Sequence, residues 1–258
     1  GLTGGVRTYV YNLARELPRA APEVEFFYYA DTKAPLELRD LPPNVTIRRL
    51  PWRSRLSTVA NDTRIATWMA RDTVRVAHFP GNYGPSGPFK LVVTVHDALN
   101  LFPMREHLRG FGRSPAKIAM MAYLSWRTRR SLQRADCVIA DSSRAREDIL
   151  SRCRCPLDRI AVVHLAADPR FAPISDPHRL DQLRAKWRLP RLAILADAIK
   201  NPTCVVAAWR QLPSDLRADA QLLFFSREPR PRPELRAALA GDPTVRFVQQ
   251  PTTADLVE

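Results

Sequence analysis

The sequence lacks a long apolar run, and none of its stretches approaches the ~18 residues that a membrane-spanning helix needs. No charged-then-apolar segment opens it. Glycine is scarce, with 9 in 258 residues, and there is no internal repeat, no low-complexity tract and no spaced dinucleotide-binding fingerprint. Cysteine is scarce too: Cys137, Cys153, Cys155 and Cys204 include one C-x-C pair, with no second pair or nearby histidines to complete a metal site. They read as reduced thiols of a cytosolic protein. Lysine accounts for only 5 of the 40 basic residues. The net charge of +14 is therefore mostly arginine and argues softly for an anionic partner: nucleotide phosphate, acidic membrane or nucleic acid.

What is present is an ordinary apolar fraction of 45% arranged as strands alternating with helices. Val6–Leu17 has one-faced helical spacing, with Pro18 expected to stop it. Strand-length runs follow at Val24–Tyr29, Val45–Leu50, Val74–Phe79 and Leu91–Val95, with a helix over Ser57–Arg71. The last run is β-branched and nearly unbroken, as in a strand buried on both faces of a parallel sheet. Ser114-Pro115 opens a helix running to about Arg134. Strands Cys137–Ala140 and Ile160–Val163 flank a helix over Ser143–Arg152. After a proline-rich stretch around one short helix, from Asp168 to Pro190, the alternation restarts: Leu192–Ala196, helix Thr203–Leu212, Gln221–Phe225, helix Pro233–Ala240 and Val245–Val248. This is the pattern of an α/β layer structure. It divides into a first domain over residues 1–170, a linker over 171–190 and a second domain over 191–258. About three strands are too few for a usual sheet of ~5–6, so the second domain is expected to be truncated.

Polar residues follow the strands where parallel α/β folds place ligands. Gly1-Leu2-Thr3-Gly4-Gly5-Val6 leads straight into a helix, and such a turn suits a phosphate; a purely geometric turn is equally open. His96-Asp97 follows a buried strand, where histidine can hydrogen-bond a sugar hydroxyl and Asp97 can orient it, or the pair can simply cap a turn. His78, ahead of Pro80-Gly81-Asn82-Tyr83-Gly84, faces the same edge and can equally be a packed strand-end histidine. Ser142-Ser143 stands between a strand and a helix, as ligand contacts or plain caps. Lys200-Asn201, at another strand-to-helix junction, can meet phosphate or sit in solvent.

In order, these pieces resemble the retaining glycosyltransferases of family 4, the group 1 glycosyltransferases. Gly4-Gly5-Val6 with Tyr9, Asn12 and Leu13 is similar to the opening glycine loop and first helix. Val93–Asp97 resembles the "TVHD" strand end, with Pro103 downstream, and Ala135–Ser143 the "ADxVIxxS" segment. Ile160–Val163 with Asp168 and Phe171-Ala172-Pro173 looks like the passage into the second domain, and Lys200-Asn201 like the donor-phosphate "KN". The sequence departs from the pattern before Lys200, where the usual glycine gives way to Leu195-Ala196-Asp197-Ala198. The family's paired glutamates do not occur before Glu258.

The resemblance implies two facing Rossmann-like domains (the GT-B fold), with the first strand of the first domain missing. It implies transfer of a sugar from a nucleotide-diphosphate sugar to a hydroxyl acceptor, a sugar or lipid-linked sugar, with retention of configuration. His96 and Asp97 would be catalytic. Gly4, Gly5, Lys200 and Asn201 would bind donor phosphate, and His78, Tyr83, Ser142 and Ser143 would contact acceptor or sugar. No cofactor, metal or nucleic acid is expected. The basic and apolar residues of Ser114–Arg134 leave peripheral membrane contact open. The alternatives are a nucleic-acid-binding α/β protein and a non-catalytic, glycosyltransferase-like interaction protein.

Overall fold

A computed structural model describes residues 4–32, 40–53, 56–107, 114–226, 230, 233–252 and 255. Gly1, Leu2 and Thr3 of the glycine turn lie outside the described residues. The chain separates into two compact units, Gly1–Ala166 and Ala167–Glu258.

The first unit opens with α1 (Gly4–Ala20), which runs past Pro18 rather than ending before it. Proline at 18 has no N–H to give the carbonyl of Ala14, one turn back. That carbonyl instead accepts from the Tyr28 hydroxyl at 2.8 Å. At the end of the helix, Asn44 Nδ2 lies 3.2 Å from Pro18 O, 3.3 Å from Ala21 O and 2.8 Å from Val24 O. Two side chains from later in the chain thus serve carbonyls that the proline and the helix end leave bare.

Strands β1 (Phe26–Asp31) and β2 (Val45–Leu50) pair in parallel, Phe26 opposite Val45 through Asp31 opposite Leu50. They form a two-stranded sheet of their own, separate from the main sheet of this unit. Helix α2 (Leu56–Arg71) follows. The main sheet has the order β3 (Val76–Phe79), β4 (Lys90–Val95), β5 (Cys137–Ala140) and β6 (Ile160–Val162), and every pairing is parallel. Between β4 and β5 come α3 (Met104–His107) and α4 (Pro115–Arg134), and α5 (Ser143–Arg152) links β5 to β6. Ser114 caps α4 by accepting from Lys117 N, with Pro115 at the first helical position.

Val93, Val95, Val138 and Ala140 are fully buried, and Leu132 of α4 and Ile149 of α5 seal against them. Burying side chains of this size contributes ~1.5–3 kcal/mol each. Arg129 holds the layers together by donating to Leu101 O and Arg152 O. Gly84 is required by close approach: a Cβ there would lie 2.3 Å from the Phe79 ring.

The second unit carries α6 (Pro177–Trp187), capped by Asp176 and closed by Arg188 at φ +51°. This is the short helix expected within the linker stretch; its Leu183 is buried and its Trp187 carbonyl accepts from Arg246. Strands β7 (Leu192–Asp197), β8 (Ala220–Ser226) and β9 (Val245–Gln249) pair in parallel in that order. Helices α7 (Pro202–Arg210), α8 (Ser214–Ala218) and α9 (Pro233–Leu239) connect them. Phe224, Leu222, Val206, Trp209 and Leu235 make the core. Leu192, Ile194 and Leu195 on the edge strand β7 are exposed.

Candidate functional site

In the first unit, the carboxyl ends of β3, β4 and β5 bring together a group of polar side chains. Thr94, the last but one residue of β4, is fully buried. His78 Nε2 lies 2.7 Å from its Oγ1, and the Tyr9 hydroxyl of α1 lies 3.5 Å from the same atom. His96 stands directly beyond β4, its ring edge-on to Tyr9 with centroids 4.8 Å apart. Its Nε2 donates to Pro80 O at 2.9 Å, which fixes the proton on that nitrogen. Its Nδ1 lies 3.4 Å from Asp141 Oδ2 at the end of β5. Burial, and then the charge of His96, hold the His78 imidazole below the usual histidine range.

The turn beneath His96 is set by Asn82, which adopts φ +67°, a region asparagine tolerates. From there its N–H donates to Thr94 O at 2.9 Å and its Oδ1 accepts from His96 N at 3.0 Å. The Asn82 amide thus fastens the loop after β3 to the end of β4.

The sequence-derived residues are distributed unevenly. His78 and His96 belong to this cluster, and Ser142 joins it by donating to Asp141 Oδ1 while capping α5 through Ala145 N. Ser143 is the exposed first residue of α5. Asp97 does not orient His96: it is exposed, and its Oδ1 accepts from Leu99 N to start a 3-10 turn. The carboxylate beside the imidazole is that of Asp141. Tyr83 turns away from the edge into the space between α2 and α4, where Arg127 stacks on its ring. Tyr9 is named by the resemblance of the first helix, but Asn82, Thr94 and Asp141 carry no signal of their own in the sequence, because their roles come from contacts with distant residues. Gly4 and Gly5 open α1, whose first-turn N–H groups have no partner within the helix.

In the second unit, β7 ends at Asp197 and the chain makes a tight turn. Asp197 Oδ1 accepts from Ile199 N at 2.8 Å, and its carbonyl accepts from Lys200 N. Ala198 is buried in this turn. Asn201 sits at φ +49° with no side-chain cap, and Pro202 takes the first position of α7. Lys200 is exposed and makes no ion pair among the described residues. A cation therefore stands immediately ahead of the positive end of a helix, an arrangement suited to an anion.

Among the described residues, no three His, Cys, Asp or Glu side chains are grouped as a metal site, and no helix is long and apolar enough to cross a membrane. The basic side chains of α4 do not share one outward face, since Arg127 and Arg129 turn inward.

Parallel sheets with polar strand ends, in two successive α/β units, define a protein of the Rossmann-like class, a fold whose ligands generally sit at the carboxyl edges of the strands. The profile of glycosyltransferase family 4 matches residues 3–171, and the chain belongs to that family. It is 28% identical over 179 residues to the serotype-specific mannosyltransferase WbdA of Escherichia coli, covering 64% of this chain and 21% of that protein. The chain thus spans about a fifth of the length of this curated relative. Among solved structures it is similar to WaaG, a glycosyltransferase involved in lipopolysaccharide biosynthesis, with a TM-score of 0.61 and 14% identity over 99% of this chain and 69% of that one. It is also similar to Anabaena HepE in complex with UDP-glucose, with a TM-score of 0.62 and 12% identity over 100% of this chain and 68% of that one. At these identities the structural likeness concerns the fold.

Proposed function

We propose that the protein takes part in transfer of a sugar from a nucleotide-diphosphate sugar to a hydroxyl acceptor, with retention of anomeric configuration. The observation that carries this reading is Lys200, exposed ahead of α7 and without an ion pair among the described residues, in a chain of this family. The likeness to HepE in its complex with UDP-glucose, and to the mannosyltransferase WbdA, supports a nucleotide-sugar donor and a sugar acceptor.

Breaking the glycosidic bond leaves a diphosphate whose negative charge must be met by preorganised donors and cations. Lys200 supplies a point charge at the positive end of α7, and Gly4 and Gly5 open α1, whose first-turn N–H groups can act as donors. Sugar or acceptor hydroxyls are recognised at the other edge by His96 and Asp141. Asp141, acceptor-only when ionised, takes a hydroxyl proton while His96 stays anchored to Pro80.

The test is calorimetric nucleotide binding together with turnover on the full-length protein. Lys200→Ala removes a charge-assisted contact to both bound donor and leaving group, worth about 1.5–3 kcal/mol, so nucleoside diphosphate affinity and rate both fall by one to two decades. His96→Ala lowers turnover and leaves nucleoside diphosphate affinity nearly unchanged. Equal weakening of nucleotide binding by both substitutions refutes the division of roles.

A further inference from the structure

Away from the His96 edge, α2, α4 and the loop after Asn82 enclose a cavity of about 270 Å³. Helix α4 returns along the sheet toward the start of β5, so its last two turns lie toward the opposite, amino edge. Arg127, Arg130 and Arg134, spaced three and four apart along one stripe of that helix, all line the cavity, together with Asp62 of α2 and Ser86.

Three guanidinium groups thus meet one carboxylate, and that carboxylate is already engaged. Asp62 Oδ2 accepts from the Tyr123 hydroxyl at 2.8 Å and lies 3.8 Å from Arg127 Nε. Arg127 is mostly buried, stacked 5.5 Å from the Tyr83 ring, yet its Nε and Nη2 are buried with no hydrogen-bond partner. Arg130 rests on Trp126, 5.9 Å from its ring, and is exposed. Arg134 is exposed and, among the described residues, makes no ion pair. Buried charged donors without acceptors are costly, and arginine forks match the oxygens of a phosphate group two at a time.

We propose that this cavity binds a phosphate-bearing anion, with Arg127 at its floor and Arg130 and Arg134 at its mouth. None of the residues assigned to donor or acceptor lines it, although the Tyr83 ring supports Arg127 from behind, so the site stands independently of the proposed transfer reaction. A phosphate ester in solution and the headgroup of an anionic lipid offer the same chemistry, and the experiment separates them.

Arginine modification by phenylglyoxal, mapped by mass spectrometry on the full-length protein, is compared with and without inorganic pyrophosphate at constant ionic strength. A second comparison uses vesicles of phosphatidylcholine with or without phosphatidylglycerol. Calorimetry follows whichever probe binds, in a Lys200→Ala background that removes the donor-side cation. The expected result is selective shielding of Arg127, Arg130 and Arg134. Shielding by pyrophosphate identifies a soluble phosphate ligand, and shielding only by phosphatidylglycerol vesicles identifies a headgroup. The double variant Arg130→Gln/Arg134→Gln changes only exposed side chains, so the fold is kept where Arg127 variants risk losing it. It should weaken the observed binding about tenfold or more, the loss of at least one charge-assisted contact. Shielding by neither probe, shielding no stronger than at arginines elsewhere on the chain, or unchanged binding in the double variant overturns the proposal.

Discussion

Tyr28→Phe tests the device that lets α1 run through a proline. The substitution removes only the hydroxyl that donates to Ala14 O at 2.8 Å. Ala14 is 7% exposed, and the N–H that would otherwise serve its carbonyl is missing at Pro18. A buried carbonyl left without a donor costs about 1–3 kcal/mol. In a unit of this size that lowers the midpoint of thermal unfolding by roughly 2–4 °C per kcal/mol. Urea unfolding followed by circular dichroism reads the same loss as a shifted midpoint. Pro18→Ala restores an N–H one turn after Ala14, so Tyr28→Phe should cost about 1 kcal/mol less in that background, a coupling expected of groups sharing one partner. Equal cost in both backgrounds refutes the reasoning.

The same hydroxyl has a pH signature. Burial pushes its ionisation from 10.0 up to about 12, so the native state holds the neutral phenol more firmly than the unfolded chain does. Its contribution is fully present below about pH 10 and is lost as pH rises toward about 12. Tyr29 is raised in the same sense, by burial first and then by its bond to Asp72. Tyr28→Phe should therefore flatten part of the alkaline decline in stability.

Gly84→Ala places a Cβ 2.3 Å from the Phe79 ring and should cost about 1–3 kcal/mol in urea unfolding as the loop and ring move apart; an unchanged midpoint would show that the loop yields freely. Asp141→Asn keeps the shape but removes the charge facing His96 Nδ1. Turnover should fall by about a decade, in line with one charge-assisted contact, with nucleoside diphosphate affinity unaltered, whereas matching losses in both would assign Asp141 to the donor. Trp209→Phe deletes the Nε1–H that donates to Thr244 Oγ1 at 2.9 Å in the second unit's core. It should cost about 1–3 kcal/mol in unfolding of that unit while leaving protection of Val93 and Val138 amides from hydrogen exchange unchanged.

Local chemistry was legible wherever one short stretch carried the whole instruction. The serine caps and the apolar period of Ser143–Arg152 set the bounds of α5 without help from elsewhere. The β-branched run ending at Val95 declared a strand buried in a parallel sheet, and Ser114-Pro115 placed the start of α4. The order of all the matching segments, from Gly4-Gly5 through Val93–Asp97, Ala135–Ser143 and Ile160–Pro173 to Lys200-Asn201, indicated the family, where no single one of them would have.

Only the tertiary structure decided what depends on partners distant in sequence. Pro18 reads as a stop until a tyrosine ten residues later replaces its missing donor. Asp97 and Asp141 are both carboxylates at strand ends. Which one faces His96 follows from the pairing of β4 with β5 and from the turn that draws Asp97 onto Leu99. Tyr83 sits in a loop beside the ligand edge, but Arg127 and Asp62, on two helices, attract its ring and hydroxyl to the other side. Periodicity fixes the face of a helix or strand, whereas the direction of a side chain in a turn is settled by whichever distant hydrogen bond or ring contact is strongest.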